Sequence, residues 1–184
     1  MRYLLFFLFL PTLINAQADV NIAKNNGATP VCAAAQKDNT ASLKLLINAQ
    51  ADVNIAENDG ATPVFVAAQQ NSTASLKLLL DAKADFDKPE NDGFTPLMFA
   101  SHFGNIDCVS MLVEHKADVK VVCDAYPETG TTALEMAEKA GHEDVVAVLM
   151  GKTAMVKVKR TKKKKKKKCD CPMCSSSGGG IPKT

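Results

Sequence analysis

The sequence predicts an all-α solenoid, a row of stacked helix-turn-helix pairs with β-hairpin loops between them and a disordered basic tail behind. Three observations carry this. The stretch LINAQADVNIA at Leu13 to Ala23 recurs unchanged at Leu46 to Ala56, and related segments begin at Ala84 and Ala117, so the beat is 33 residues. A second marker keeps time with it: NNGATPV around Gly27, NDGATPV around Gly60 and NDGFTPL around Gly93, with TGTTALEMA around Gly130 arriving 37 residues after Gly93. Between the markers, aliphatic residues fall at helical spacing, as in SLKLLI from Ser42 and SLKLLL from Ser75. One such helix pair buries too little apolar surface to stand alone, so three or more must stack.

The chain opens with MRYLLFFLFLPTLINAQA, residues 1–18, for which two readings stand. A basic second residue, an apolar run from Tyr3 to Leu10 and Ala16-Gln17-Ala18 as an A-x-A-like cleavage site read as a secretory signal peptide. Alternatively the segment is the second helix of a truncated repeat, because Leu13 onward copies Leu46 onward. Pro11 weighs against that helix, since proline inside a helix costs about 3 kcal/mol. The run is too short for the roughly 20 residues a bilayer span needs.

Within each unit the residue types dictate local structure. Asn or Asp beside Gly27, Gly60 and Gly93 supplies a tight turn. Thr29, Thr62, Thr95 and Thr132 then stand where a side-chain oxygen caps a helix, and Pro30, Pro63 and Pro96 occupy the first helical position, where the missing N–H is harmless. The first helix, for example Thr62 to Gln69, is short and alanine-rich. Asp38, Asn71, Gly104 and Gly141 mark a second turn in the left-handed region. The second helix follows, with cores at Ser42, Ser75, Cys108 and Val145. Tryptophan is absent and aromatic residues are few, so small aliphatic side chains must fill the interior.

These residues resemble the ankyrin-repeat family, whose pattern is a G-x-T-P-L hairpin and helix, a G-H turn, a leucine-rich second helix and a G-A-D-V-N loop. The match runs from about Leu13 to Gly151, with repeats near 24–56, 57–89, 90–122 and 127–151 inside a repeat domain of residues 19–151. Cys32, Phe65, Met98 and Glu135 replace the histidine of the family pattern, which removes a side chain expected to brace the hairpin. The last unit has Ala133 for proline and the expansion VVCDAYPETG before its helix, and Glu135, Glu138, Lys139, Glu143 and Asp144 give it the polar exterior of a closing cap.

The resemblance implies that a protein partner is held on a concave side built from hairpin tips and first-helix ends. By position these are Asn25, Asn26, Ala28, Gln36 and Lys37, then Asn58, Asp59, Ala61, Gln69 and Gln70, then Asn91, Asp92, Phe94, His102 and Phe103. Phe94 and Phe103 stand out, because an exposed aromatic on a polar surface is the usual anchor of an interface. The alternative is that both rings fold over a neighbouring repeat and complete the core.

Residues 152–184 hold twelve Lys or Arg against one Asp, a charge of +11, while the rest of the chain carries ten basic and nineteen acidic residues, or −9. An acidic body with a basic tail is not the footprint of a folded nucleic-acid-binding domain. Any polyanion contact belongs to Lys157, Lys159, Arg160 and the run Lys162, Lys163, Lys164, Lys165, Lys166, Lys167 and Lys168. Such density of like charge stays extended, and nuclear import, anionic lipid or nucleic acid are the functional readings beside a plain solvated run. Cys169, Cys171 and Cys174 follow without a fourth ligand, which leaves a truncated zinc site, an acylated anchor or an inert thiol cluster. The six cysteines do not space out as a disulfide framework and favour a reducing compartment. Localisation is therefore the secretory pathway if the leader operates, otherwise cytoplasm or nucleus.

Nothing in the chain assembles a catalytic site. His102, His115 and His142 belong to a helix, a helix end and a turn, and there is no phosphate-cradling loop, H-E-x-x-H or nucleophile elbow. No cofactor and no small-molecule substrate are expected. The expected function is non-enzymatic protein binding by an adaptor or scaffold; the alternative is a membrane- or nucleus-directed tether acting through its basic tail.

Overall fold

The computed structural model describes residues 19–123 and 130–151. The apolar N-terminal segment, the middle of the expanded loop, the polybasic run and the Cys169, Cys171, Cys174 cluster lie outside the described residues. Eight helices follow one another among those described: α1 Pro30–Gln36, α2 Thr40–Asn48, α3 Pro63–Gln70, α4 Thr73–Asp81, α5 Pro96–Phe103, α6 Ile106–Glu114, α7 Ala133–Ala140 and α8 Glu143–Leu149.

The caps account for where the first helices begin. The Thr29, Thr62 and Thr95 hydroxyls accept the backbone N–H of Cys32, Phe65 and Met98 at 3.2 to 3.3 Å, and proline follows each threonine. Each cap is worth about 1 kcal/mol. The fourth unit, which lacks proline, has instead a reciprocal box: Thr132 accepts from the Glu135 N–H at 3.3 Å, and the Glu135 carboxylate accepts from the Thr132 N–H at 3.1 Å.

Asn71, Gly104 and Gly141 end α3, α5 and α7 at φ of 58°, 70° and 76°, and Asp38 takes 51° just after α1. The second helices end in the same way, but on less suitable residues. Gln50, Lys83 and Lys116 hold φ of 60°, 64° and 66° where the family pattern places glycine.

First helices stack on first helices in the series α1, α3, α5, α7, and second helices on second in the series α2, α4, α6, α8. The helices that contain Ser42, Ser75 and Cys108 thus lie side by side. One continuous core runs through the stack, with Val31, Leu43, Val64, Leu76, Leu79, Leu97, Met98, Val109, Leu112 and Val145 fully buried. Ala67, Ala68 and Ala100 sit buried between neighbouring first helices, which is the work of the alanine-rich sequence.

The loops between repeats are three-residue hairpins. The Gly60 N–H donates to the Glu57 carbonyl at 2.9 Å and the Glu57 N–H to the Ala61 carbonyl at 2.9 Å, a turn closed by glycine at φ +87°. The same pair of bonds recurs at Lys24, Gly27 and Ala28 and at Glu90, Gly93 and Phe94. At the expanded loop, Cys123 and Thr131 form an antiparallel bridge, each N–H donating to the other's carbonyl at 3.0 Å.

Candidate protein-binding surface

Each hairpin is tied to the one before it, and these ties set the geometry of the tips. The Asn58 and Asn91 backbone N–H groups donate to the Asn26 and Asp59 carbonyls at 2.9 Å, while their side-chain amides donate to the Asn25 and Asn58 carbonyls at 2.9 and 3.1 Å. A Cβ on Gly60 would sit 2.8 Å from the Asn91 nitrogen, so glycine is needed both for the turn and for this close approach. Of the side chains that stand in place of the family's histidine, Cys32, Phe65 and Met98 are buried, and Cys32 Sγ donates to the Ile55 carbonyl at 3.6 Å. The asparagine ties hold the tips without histidine.

A second ladder runs through the loops that follow the second helices. Asn21, Asn54 and Asp87 accept the N–H groups of Asp52, Asp85 and Asp118 in the next repeat at 2.9, 2.8 and 3.1 Å. Burial, the nearby carboxylates of Asp118 and Asp85 together push the Asp87 carboxyl above its ordinary range, against the opposing pull of the Asp118 N–H. Helix ends are also joined across repeats. Asp38 accepts the Ser75 N–H in the first turn of α4 at 2.7 Å, Asn105 donates to the Ala68 carbonyl of α3 at 2.8 Å, and His142 Nε2 lies 3.0 Å from the His102 carbonyl.

On this frame Asn25, Asn26, Asn58, Asp59, Asn91 and Asp92 are exposed at the tips, and Gln36, Lys37, Gln70 and Phe103 at the first-helix ends, with Gln69 and His102 half-buried. Phe94 corrects the expectation of an exposed anchor. It is only 4% exposed, because the position after the turn glycine points inward, as it does for buried Ala28 and Ala61. Its ring meets Phe99 edge-on with centroids 5.9 Å apart, and Phe99 in turn packs on Phe65 at 4.7 Å and Phe103 at 5.7 Å. Phe103 is the outermost ring of that cluster, 43% exposed and flanked by the His102 ring at 5.0 Å. Burial, then the neighbouring His142, lowers the His102 pKa, which favours a neutral ring beside the phenyl group.

The order of elements, the turn chemistry and the stacking agree with one family of repeats. The family model for ankyrin repeats, in three copies, matches residues 6–90 and 74–160.

The chain belongs to the ankyrin-repeat family.

A comparison with curated proteins returned no match. Ankyrin repeats are generally protein–protein interaction modules and are typically non-enzymatic. Among the described residues no group of three or more His, Cys, Asp or Glu side chains could hold a metal ion, and no helix is long and apolar enough to cross a membrane. The histidines make scaffold contacts: His142 with the end of α5, and His115 Nδ1 with the Met111 carbonyl at 2.8 Å.

Proposed function

We infer that this ankyrin-repeat protein is a non-enzymatic adaptor that holds a protein partner on the face formed by Asn58, Asp59, Gln69, Gln70, Asn91, Asp92, His102 and Phe103. The supporting observation is Phe103, an aromatic ring left 43% exposed at the end of α5 between the Phe99 and His102 rings. Its inner edge is fixed by Phe99, so little side-chain freedom is lost when a partner covers the outer edge. The polar hairpin tips supply hydrogen bonds that select the partner, and the ties between repeats hold Asn58 and Asn91 in place beforehand.

The test is capture of partners by the full-length protein and by Phe103→Ala, with Lys77→Ala on the second-helix face as control. Loss of capture for Phe103→Ala alone, with the melting temperature lowered by no more than a few degrees, supports this face; equal capture by all three proteins rejects it.

A second proposal, tethering to anionic lipid, nucleic acid or the nucleus through Lys157 to Lys168, rests on the charge of +11 in residues 152–184. Deleting Lys157 to Lys168 and finding localisation unchanged would remove it.

A further inference from the structure

Among the described residues, no helix covers the first helix pair on the side away from the stack. Pro30, Ala33, Ser42, Leu45 and Leu46 line a cavity of about 440 Å³ there. Leu45, at 71%, is the most exposed large apolar side chain among the described residues. One period on, the same register positions are occupied by Pro63, Val66, Ser75, Leu78 and Leu79, and all but Leu78, which is half-buried, are fully enclosed. They are closed because α1 and α2 stack against them. The open face therefore has the shape and apolar character of a surface that takes a preceding second helix.

We propose that this face docks the chain's own residues 6–18 as a half-repeat that covers the start of the solenoid. Leu10, Leu13 and Ile14 stand one period before Leu43, Leu46 and Ile47, and Leu43 and its later counterpart Leu76 are fully buried. The segment runs directly into Asp19 and stands one 33-residue period before α2 in the sequence. Pro11, the residue that argues against a helix here, shares its register with exposed Lys44 and Lys77, off the docking contact. Independently, the match to the ankyrin family model begins at residue 6, inside this segment. Covering Leu45 and Leu46 removes apolar surface from water, the largest favourable contribution available at this end of the stack. A protease that cut after Ala18 would uncover the face.

The test uses the full-length chain, made in a reducing cell-free system and shown intact by mass spectrometry. Amide hydrogen exchange of α2 is compared between wild type, Leu13→Asp and the conservative Leu13→Met. Docking predicts exchange in α2 roughly ten-fold or more faster in Leu13→Asp, retained protection in Leu13→Met, and no change in α6 and α8. Identical α2 protection in all three proteins overturns the proposal. So does a wild-type chain that sediments as a dimer and becomes a monomer on Leu45→Glu, because the occupant would then be a second copy.

Discussion

Asp87 accepts the Asp118 N–H at 3.1 Å in the ladder position that Asn21 and Asn54 fill in the two preceding repeats. An amide oxygen and a carboxylate oxygen both accept this bond, but only the carboxylate brings a charge toward Asp85 and Asp118. Because burial and those neighbours raise the folded pKa of Asp87, its ionised form destabilises the fold above that pKa. The penalty fades as pH falls through the folded pKa and is gone below the unfolded value, near 3.9. Asp87→Asn should therefore stabilise the protein at pH 7 by about 0.5 kcal/mol, allowing for solvent screening at a half-buried site. Urea unfolding at pH 7 and near pH 3 checks this; a variant less stable than wild type at pH 7 would contradict it.

Lys83 and Lys116 hold left-handed backbone without being glycine. That conformation costs a side-chain-bearing residue about 1 to 2 kcal/mol, of which the greater freedom of glycine in the unfolded chain takes back roughly half. Lys83→Gly and Lys116→Gly should each raise stability by about 0.5 to 1 kcal/mol. Thermal melts showing both variants lower than wild type would rule this out.

The two phenylalanines of the third repeat should separate by assay. Phe94→Ala empties a buried site against Phe99 and should cost about 3 to 4 kcal/mol of stability. Phe103→Ala removes a ring already part-exposed and should cost about 1 kcal/mol or less. Chemical denaturation of both, side by side, gives the answer; equal losses would mean that Phe103 belongs to the core.

Burial raises the Cys32 thiol, and burial followed by the charges of Asp107 and Asp38 pushes Cys108 up to about 12. Both thiols stay protonated at pH 8 and should resist alkylation in the folded protein. Peptide mapping after iodoacetamide treatment should find them labelled in urea and spared in buffer. Labelling in buffer at the urea rate would contradict the packing of α1 and α6.

The parts legible in the sequence were those written locally. Threonine followed by proline announces a capped helix start, and glycine beside asparagine announces a hairpin, because each acts within three or four residues of itself. Phe94 misled because turn chemistry says where the chain bends, not which side of the bend faces inward. Its small counterparts Ala28 and Ala61 were the available sign of a crowded position. Gln50, Lys83 and Lys116 escaped notice for a related reason: left-handed backbone is imposed there by the stacked helices and not by the residue. The bonds from Asp38 to Ser75 and from Asn105 to Ala68 join residues 37 apart, and only the packed neighbours bring them together.

The four bonds that Asn58 and Asn91 make between hairpins point the same way, with the later unit donating to a carbonyl of the earlier one. A unit therefore arrives carrying one half of a fastener and leaves the complementary half on its far side. A copying event that inserted a whole period would need no new interface to be invented, and the verbatim recurrence of Leu13 to Ala23 at Leu46 to Ala56 is what such growth leaves behind.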